Sequence, residues 1–532
     1  MNNELSKIID LVNTQNYSKA ETLLNRLIEE NPNSFEFNKI LGVCLLSQRK
    51  YNRALKAFNI CYEIKKDDFD VNTNLSFLFI KVQDFKHAIK FSDEAIAKDP
   101  SRPHAYHNLA QCYLFLGNYD KAKENVLLSI KYRGGMGSDE VLAYPDLINL
   151  YADILLAKNE IDEFRKFAQK ILDSGSYQSD LFRKLMKNGR DDIKPFHIET
   201  LEKVINDSNK IESLLRRNAT ISAAYFCLAE YYSKIDNAKS EDFYLNANKK
   251  IAEMQRQSLF QRQKKYSNVI KLFQDLNCED IQSNIDPLKG DGLIFVMGMP
   301  RSGTSLTESI LSTADNIVAG GERVFFTVQI ENMLDKINLD NFNSDFFNSL
   351  GDSYLEIISI QREGKKFFID KLPENYRFYK FIKLALPGAK FINVSRDSWD
   401  NAISLFKENY SFEIYYSSSF FGIALEYANY ENNIKFWKSL DGNDCMLDLK
   451  YEDLVSNTDE MVKKIWQYCN LSGNYSSEKR KSHFVNTASK QQVTKDIFQT
   501  SIEKKDFQDF KGQFNDDLES QRKYWSKIME SL

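Results

Sequence analysis

The chain has 532 residues, of which 42% are hydrophobic and 13% aromatic, with 71 Lys and Arg against 75 Asp and Glu for a net charge of −4. That length exceeds one ordinary domain, the apolar content suffices for packed cores, and the even charge excludes a chain built mainly to coat nucleic acid. Seven cysteines without a Cys-x-x-Cys pair and five histidines without a His-x-x-x-His point to neither a zinc site nor a disulfide framework, so no metal is expected.

The opening residues, MNNELSKIIDLVNTQNYSK, read as an amphipathic helix and not as a targeting segment. No window approaches the roughly 18 apolar residues of a membrane span. The expectation is a cytoplasmic protein without a membrane span. Ala20, Ala54, Ala88 and Ala122 then recur at a spacing of 34 residues, each preceded three residues earlier by Tyr17, Tyr51, Phe85 or Tyr119. Pro32 and Pro100 stand two periods apart, with Lys66 midway, and helical apolar patterns run between the alanines. Small residues permit close helix approach, aromatics fill the space beside them, and proline stops the second helix of each pair. This pattern resembles the tetratricopeptide repeat, with about three and a half repeats over 1–132. Gly42 sits at that family's glycine position, where Ser76 and Ala110 follow in the next two repeats, and Asn38, Asn72 and Tyr106 stand at its tryptophan position.

Arg133-Gly-Gly-Met-Gly137 breaks the phase, and helical patterns continue to 285. The segments AAYFCLAEYYSKI and AKSEDFYLNANKKIAEM resemble a degenerate final repeat. The expected organisation is repeats over 1–132, an irregular helical continuation over 133–285, and a separate domain over 286–532. A repeat array offers a concave surface for a protein or peptide partner; the competing reading is a structural arm or a homodimer surface.

Asp286-Pro287 through Gly292 is a turn-rich boundary, followed by LIFVMG, a buried strand, then MPRSGTS, then the helical LTESILSTA. A strand, a glycine-bearing loop and a helix start form an anion cradle from backbone N–H groups and the helix dipole. The spacing Gly298-x4-Gly303-Thr304-Ser305 nearly matches the nucleoside-triphosphate loop, but Thr304 replaces its lysine and the cation stands instead at Arg301. Its guanidinium fork suits a sulfonyl or phosphate oxygen. After a second strand, Lys390–Ser395, Arg396 and Ser404 are spaced so that a guanidinium at the strand end and a helix hydroxyl can meet one anion.

GMPRSGTSLTESILS is similar to the 5′-phosphosulfate loop of sulfotransferases that use 3′-phosphoadenosine 5′-phosphosulfate. Its Pro-Arg-Ser-Gly-Thr form resembles the tyrosylprotein sulfotransferases and bacterial relatives in which tetratricopeptide repeats precede the catalytic domain. The resemblance implies an α-solenoid followed by a P-loop-type three-layer α/β domain with a parallel sheet. It implies donor binding by Pro300, Arg301, Ser302, Gly303, Thr304 and Ser305, and binding of the 3′-phosphate by Arg396 and Ser404. Glu322, in Ala319-Gly-Gly-Glu322-Arg323, matches the family's general base, which takes the acceptor hydroxyl's proton; the competing reading is a turn cap or a pair with Arg323. Lys371 matches the Asp-Lys-x-Pro segment, where an ammonium stabilises charge on the departing oxygen beside Arg301; the competing reading is a pair with Asp370. Met446–Leu454, with Tyr451-Glu-Asp-Leu454, resembles a structural strand and turn. Thr487 and Ser489 lie in a segment similar to the one that closes over the nucleotide, although Thr494 stands where relatives carry arginine.

The implied activity is transfer of a sulfonyl group to a hydroxyl without a metal. The acceptor stays open among a peptidyl tyrosine, a glycan, a lipid and a small metabolite. A silent repeat scaffold and a P-loop kinase or NTPase are the competing classes, and Thr304 argues against the kinase.

Overall fold

The computed structural model describes residues 2–211, 213–252, 258–331, 333–335, 337–410, 414–482 and 506–531. It divides into two compact units, Met1–Ile171 and Leu172–Leu532. Among the described residues no helix is long and apolar enough to cross a membrane.

In the first unit the 34-residue period becomes four helix pairs: Asn2–Asn13 with Tyr17–Glu30, Phe35–Ser47 with Tyr51–Ile64, Phe69–Lys81 with Phe85–Lys98, and Pro103–Phe115 with Tyr119–Lys131. The four periodic alanines are fully buried, and each aromatic three residues earlier opens the second helix of its pair. Gly42 has a direct cause, since a Cβ there would stand 2.5 Å from the Phe58 ring. One period later the crowded pair becomes Ser76 and Ser92, whose hydroxyl oxygens lie 2.7 Å apart. The tryptophan position is also re-used in kind. Asn38 donates to the Pro32 carbonyl at 2.8 Å, Asn72 to Lys66 at 2.9 Å, and the Tyr106 hydroxyl to Pro100 at 3.0 Å. Two asparagines and a tyrosine thus satisfy the equivalent carbonyl after the end of the preceding helix in three successive repeats.

The second unit is built on a parallel sheet. Its described strands are β1 (Leu293–Gly298), β2 (Ile317–Ala319), β3 (Phe367–Asp370), β4 (Lys390–Ser395) and β5 (Leu447–Lys450), in spatial order β2-β3-β1-β4-β5. β1 pairs with β3 from Leu293 opposite Phe368, and with β4 from Ile294 opposite Lys390 to Gly298 opposite Val394. Alternation along β1 sends Phe295 and Met297 into one core, and Ile294 and Val296 into another. Helices cover both faces, which gives the expected three layers. The first of these cores also takes in Phe226, Tyr244, Tyr266 and Phe273, so the helices of 172–285 share a core with the sheet. Arg262 reinforces that junction, donating to Glu426 at 2.7 Å and Glu374 at 2.6 Å. β1 and β4 are neighbours whose chain connections leave in opposite directions across the sheet. Ligands of open parallel sheets bind at the carboxyl ends of such strands.

Candidate active site

The loop after β1 departs from ordinary backbone angles at three residues. Gly298 has φ of 151°, and a Cβ there would stand 2.1 Å from the Val394 carbonyl oxygen. Gly303 has φ of 107°, and its Cβ would meet the Tyr451 ring at 2.5 Å. Between them Arg301 takes φ of 68°, uncommon for a residue with a side chain. The turn feeds the helix Thr304–Leu311, whose first N–H groups lack intrahelical partners and carry the positive end of its dipole. Ser302, Thr304 and Ser305 are buried here, and Ser302 Oγ has no hydrogen-bond partner among the described residues. A buried hydroxyl in that state fits a ligand oxygen. The loop is tied to the next βα junction by Asn401, whose amide donates to the Pro300 carbonyl at 3.0 Å.

That junction follows β4. Asp397 caps the helix Ser398–Phe406 by accepting from the Trp399 and Asp400 N–H groups at 3.0 and 2.9 Å. The helix brings Ser404 back to Arg396, whose Nη1 lies 3.4 Å from Ser404 Oγ and donates to the Arg301 carbonyl at 3.3 Å. The guanidinium also lies over the Tyr451 ring, 4.6 Å from its centroid. Burial lowers the Arg396 pKa, with Tyr451 and Asp400 opposing. The expected Arg396–Ser404 neighbourhood is therefore present, and it adjoins the loop.

Glu322 and Lys371 form a second cluster. The turn after β2 is held to β3 by the Gly320 N–H on the Ile369 carbonyl at 2.7 Å, and by the Lys371 N–H on the Gly321 carbonyl at 2.9 Å. Lys371 Nζ then donates to Glu322 Oε1 at 2.6 Å. The lysine side chain is fully buried, whereas that of Glu322 is 39% exposed, so the carboxylate can meet an incoming molecule. These two side chains pair with one another. Asp370 accepts from Tyr354 at 2.7 Å and Asn375 at 3.2 Å, and Arg323 is buried and donates to Gln361. A third carboxyl joins them. Glu308, on the helix after the loop, accepts from the Gly321 N–H at 3.1 Å and stands 3.8 Å from Lys371 Nζ. Burial pushes its carboxyl up to about 7, against the opposing pull of Lys371.

Residues 294–475 match the Sulfotransferase family, and residues 5–68 and 79–126 match the Tetratricopeptide repeat. This chain joins tetratricopeptide repeats to a sulfotransferase domain. It is 28% identical over 248 residues to an uncharacterized protein of Aquifex aeolicus, covering 41% of this chain and 32% of the relative. It is 25% identical over 184 residues to a Caenorhabditis briggsae protein assigned by name to the protein-tyrosine sulfotransferases, covering 34% and 65%. A third relative is Protein-tyrosine sulfotransferase 1 of Danio rerio, 24% identical over 192 residues, covering 34% and 54%. The chain thus spans about a third to two thirds of the length of these relatives. Among solved structures, the sulfotransferase domain of the Synechococcus olefin synthase aligns at a TM-score of 0.28 and 14% identity, covering 40% of this chain and 86% of that one. A tetratricopeptide repeat protein of Parabacteroides merdae aligns at a TM-score of 0.31 and 14% identity, covering 46% and 91%.

Every described residue assigned to the site from sequence lies inside the sulfotransferase match. Thr487 and Ser489, with Thr494 beside them, lie outside the described residues. Three residues of the sulfotransferase domain escaped the sequence reading. Glu308 reads from sequence as one position of an apolar helix pattern, and nothing in that pattern shows what packs against it. Tyr451 reads from sequence as part of a structural turn, yet it packs on Gly303 and Arg396. Glu408 follows the helix of Ser404: burial pushes its carboxyl up, but Arg183, Lys187 and Arg301 outweigh burial and hold it down to about 2. Arg183, from the helix Ser179–Asn188, donates to it at 2.8 Å. No sequence signal linked residues so far apart.

Proposed function

We propose that the sulfotransferase domain transfers a sulfonyl group from 3′-phosphoadenosine 5′-phosphosulfate to the hydroxyl of a peptidyl tyrosine, with the repeats recruiting the peptide. The observation that carries this reading is Arg396, which touches Ser404 on one side and the loop at Arg301 on the other. Two anion-binding elements thereby meet, as a nucleotide with a 5′-phosphosulfate and a 3′-phosphate requires. The cradle fits such a donor, because Gly298 and Gly303 leave no room for a Cβ and Ser302 Oγ is buried without a protein partner. Arg301, Ser302, Gly303, Thr304 and Ser305 would hold the 5′ end, with Pro300 shaping the turn, and Arg396 and Ser404 the 3′-phosphate. When bound, the donor supplies an activated sulfonyl group.

The chain's own residues do the rest. Glu322 is partly exposed and would take the proton of the acceptor hydroxyl as that oxygen attacks. Lys371 is buried against it and would place positive charge where the leaving oxygen becomes anionic. Arg301 would neutralise the sulfonyl oxygens. No step in this scheme calls for a metal. Tyrosine is favoured as acceptor by the two relatives that carry protein-tyrosine sulfotransferase names. The test is to incubate the full chain with the donor and tyrosine peptides, and to follow by mass spectrometry the gain of one SO3. The expected result is modified tyrosine with wild type and none with Glu322→Ala, which should still bind adenosine 3′,5′-bisphosphate. Modification of a glycan or a metabolite alone would overturn the acceptor assignment, and binding of ATP in place of the bisphosphate would overturn the activity.

A further inference from the structure

We infer that Glu308 is a positioning residue that fixes Lys371 and the Gly320–Gly321 turn, so that Glu322 faces the acceptor; the inference rests on the sulfonyl-transfer reading above. Glu308 is 1% exposed and belongs to the helix that opens at the anion cradle, not to the turn that carries Glu322. It nevertheless reaches both partners of the base. Its Oε1 accepts from the Gly321 N–H at 3.1 Å, one residue before Glu322. Its Oε2 lies 3.8 Å from Lys371 Nζ and has no hydrogen-bond partner among the described residues. Lys371 Nζ is therefore shared between a buried carboxyl and a partly exposed one, at 3.8 and 2.6 Å.

A neutral side chain would serve a purely structural role more cheaply. Burying a carboxyl costs free energy that a glutamine amide avoids, and glutamine would still accept the Gly321 bond. What the charge adds is a second anchor for the ammonium. During transfer the acceptor oxygen bonds to sulfur as the bond from sulfur to the donor's 5′-phosphate oxygen breaks, and the acceptor's O–H proton passes to Glu322, which loses its negative charge. Lys371 then loses its 2.6 Å counter-ion while the oxygen of the departing phosphate gains charge. Glu308, where it is ionised, remains as a second anion that holds the ammonium in place. The groups that face Glu308 are Lys371 and Asp370 from the end of β3 and Glu322 from the turn. Its carboxyl, pushed up to about 7 by burial, titrates where this anchoring would be felt in a pH profile.

The experiment uses the full chain with Glu308→Gln and Glu308→Asp. Affinity for adenosine 3′,5′-bisphosphate is measured by calorimetry, kcat and KM with donor and tyrosine peptide, and amide exchange across residues 320–323. For Glu308→Gln the expected result is unchanged bisphosphate affinity, a kcat loss of about 10- to 100-fold with little change in KM, and faster exchange in the turn. The acid limb of the kcat–pH profile should also change, and Glu308→Asp should recover part of the rate. Wild-type exchange across 320–323 in Glu308→Gln would overturn the positioning role whether or not a turnover assay succeeds. Equal losses of bisphosphate affinity and rate would also overturn it, as the mark of a general packing defect. Failure of the wild-type chain to bind the bisphosphate would instead overturn the sulfonyl-transfer reading, and the exchange measurement would still decide the role of Glu308 in holding the turn.

Discussion

The Tyr451 ring lies beneath the Arg396 guanidinium, 4.6 Å from its centroid, and the same ring closes on Gly303. One aromatic side chain from the end of β5 thus supports both anion-binding elements. A guanidinium over a ring gains about 0.5–2 kcal/mol, and the flat contact also fixes the fork's plane. Tyr451→Ala should weaken binding of adenosine 3′,5′-bisphosphate by about 2- to 30-fold, and Tyr451→Phe by much less. Titration calorimetry on the full chain decides it, and equal losses for both variants would mean that the hydroxyl acts and the ring face does not.

Gly42 stands against Phe58 with no room for a methyl group. Alanine would gain about 1 kcal/mol of helix propensity over glycine, but overpacking a filled core costs about 1–3 kcal/mol. The ring is fully buried in the core of the repeats, so the clash should win. Gly42→Ala should lower the melting temperature of the repeat unit. Combined with Phe58→Leu, the loss should be smaller than the sum of the two single losses. Simple additivity in a thermal-unfolding cycle would show that the two residues do not compete for the same space.

The repeats and the cradle were legible in the sequence because each is set by local chemistry. A 34-residue period of buried alanines needs no knowledge of the rest of the chain. The same holds for Gly298, Arg301 and Gly303, where the turn itself imposes the residue types. Arg396 and Ser404 were legible because strand and helix periods bring them together. Glu308 was not legible, because helix periodicity gives the face a residue occupies but not what packs on that face. The helices of 172–285 pose the same difficulty on a larger scale. Their pattern continues the solenoid, yet Tyr266 and Phe273 enter the core of the sheet.

Stability should carry a pH signature from the buried carboxyls. Burial pushes Glu308 and Asp370 each up to about 7, with Lys371 opposing at the first and Tyr354, Arg323 and Asn375 opposing at the second. Unfolded carboxyls titrate near pH ~4. Between about pH 4 and 7 the folded chain holds protons that the unfolded chain has released, so these two groups make stability fall as pH rises through that window. Glu308→Gln removes one of the two titrations. The fall in melting temperature from about pH 5 to about pH 8 should therefore be smaller in the variant than in wild type. Comparing the two proteins cancels the titrating groups remote from Glu308, and parallel pH curves would contradict the assignment.

The extent of the sulfotransferase unit can be tested by truncation. A chain beginning at 172 keeps the compact unit whole, including the Arg183–Glu408 pair at 2.8 Å and the Arg262–Glu426 pair at 2.7 Å. A chain beginning at 286 loses Phe226, Tyr244, Tyr266 and Phe273 from the core, at about 3–5 kcal/mol for each aromatic removed. It also leaves Glu426, fully buried, without Arg262, a loss of about 3–5 kcal/mol for a broken buried pair. These losses exceed the whole stability of an ordinary domain, about 5–15 kcal/mol. The 172–532 chain should be soluble, melt cooperatively and bind adenosine 3′,5′-bisphosphate with wild-type affinity, whereas 286–532 should not fold. A folded, nucleotide-binding 286–532 chain would show that the preceding helices contribute little to the unit, whatever core they share with the sheet.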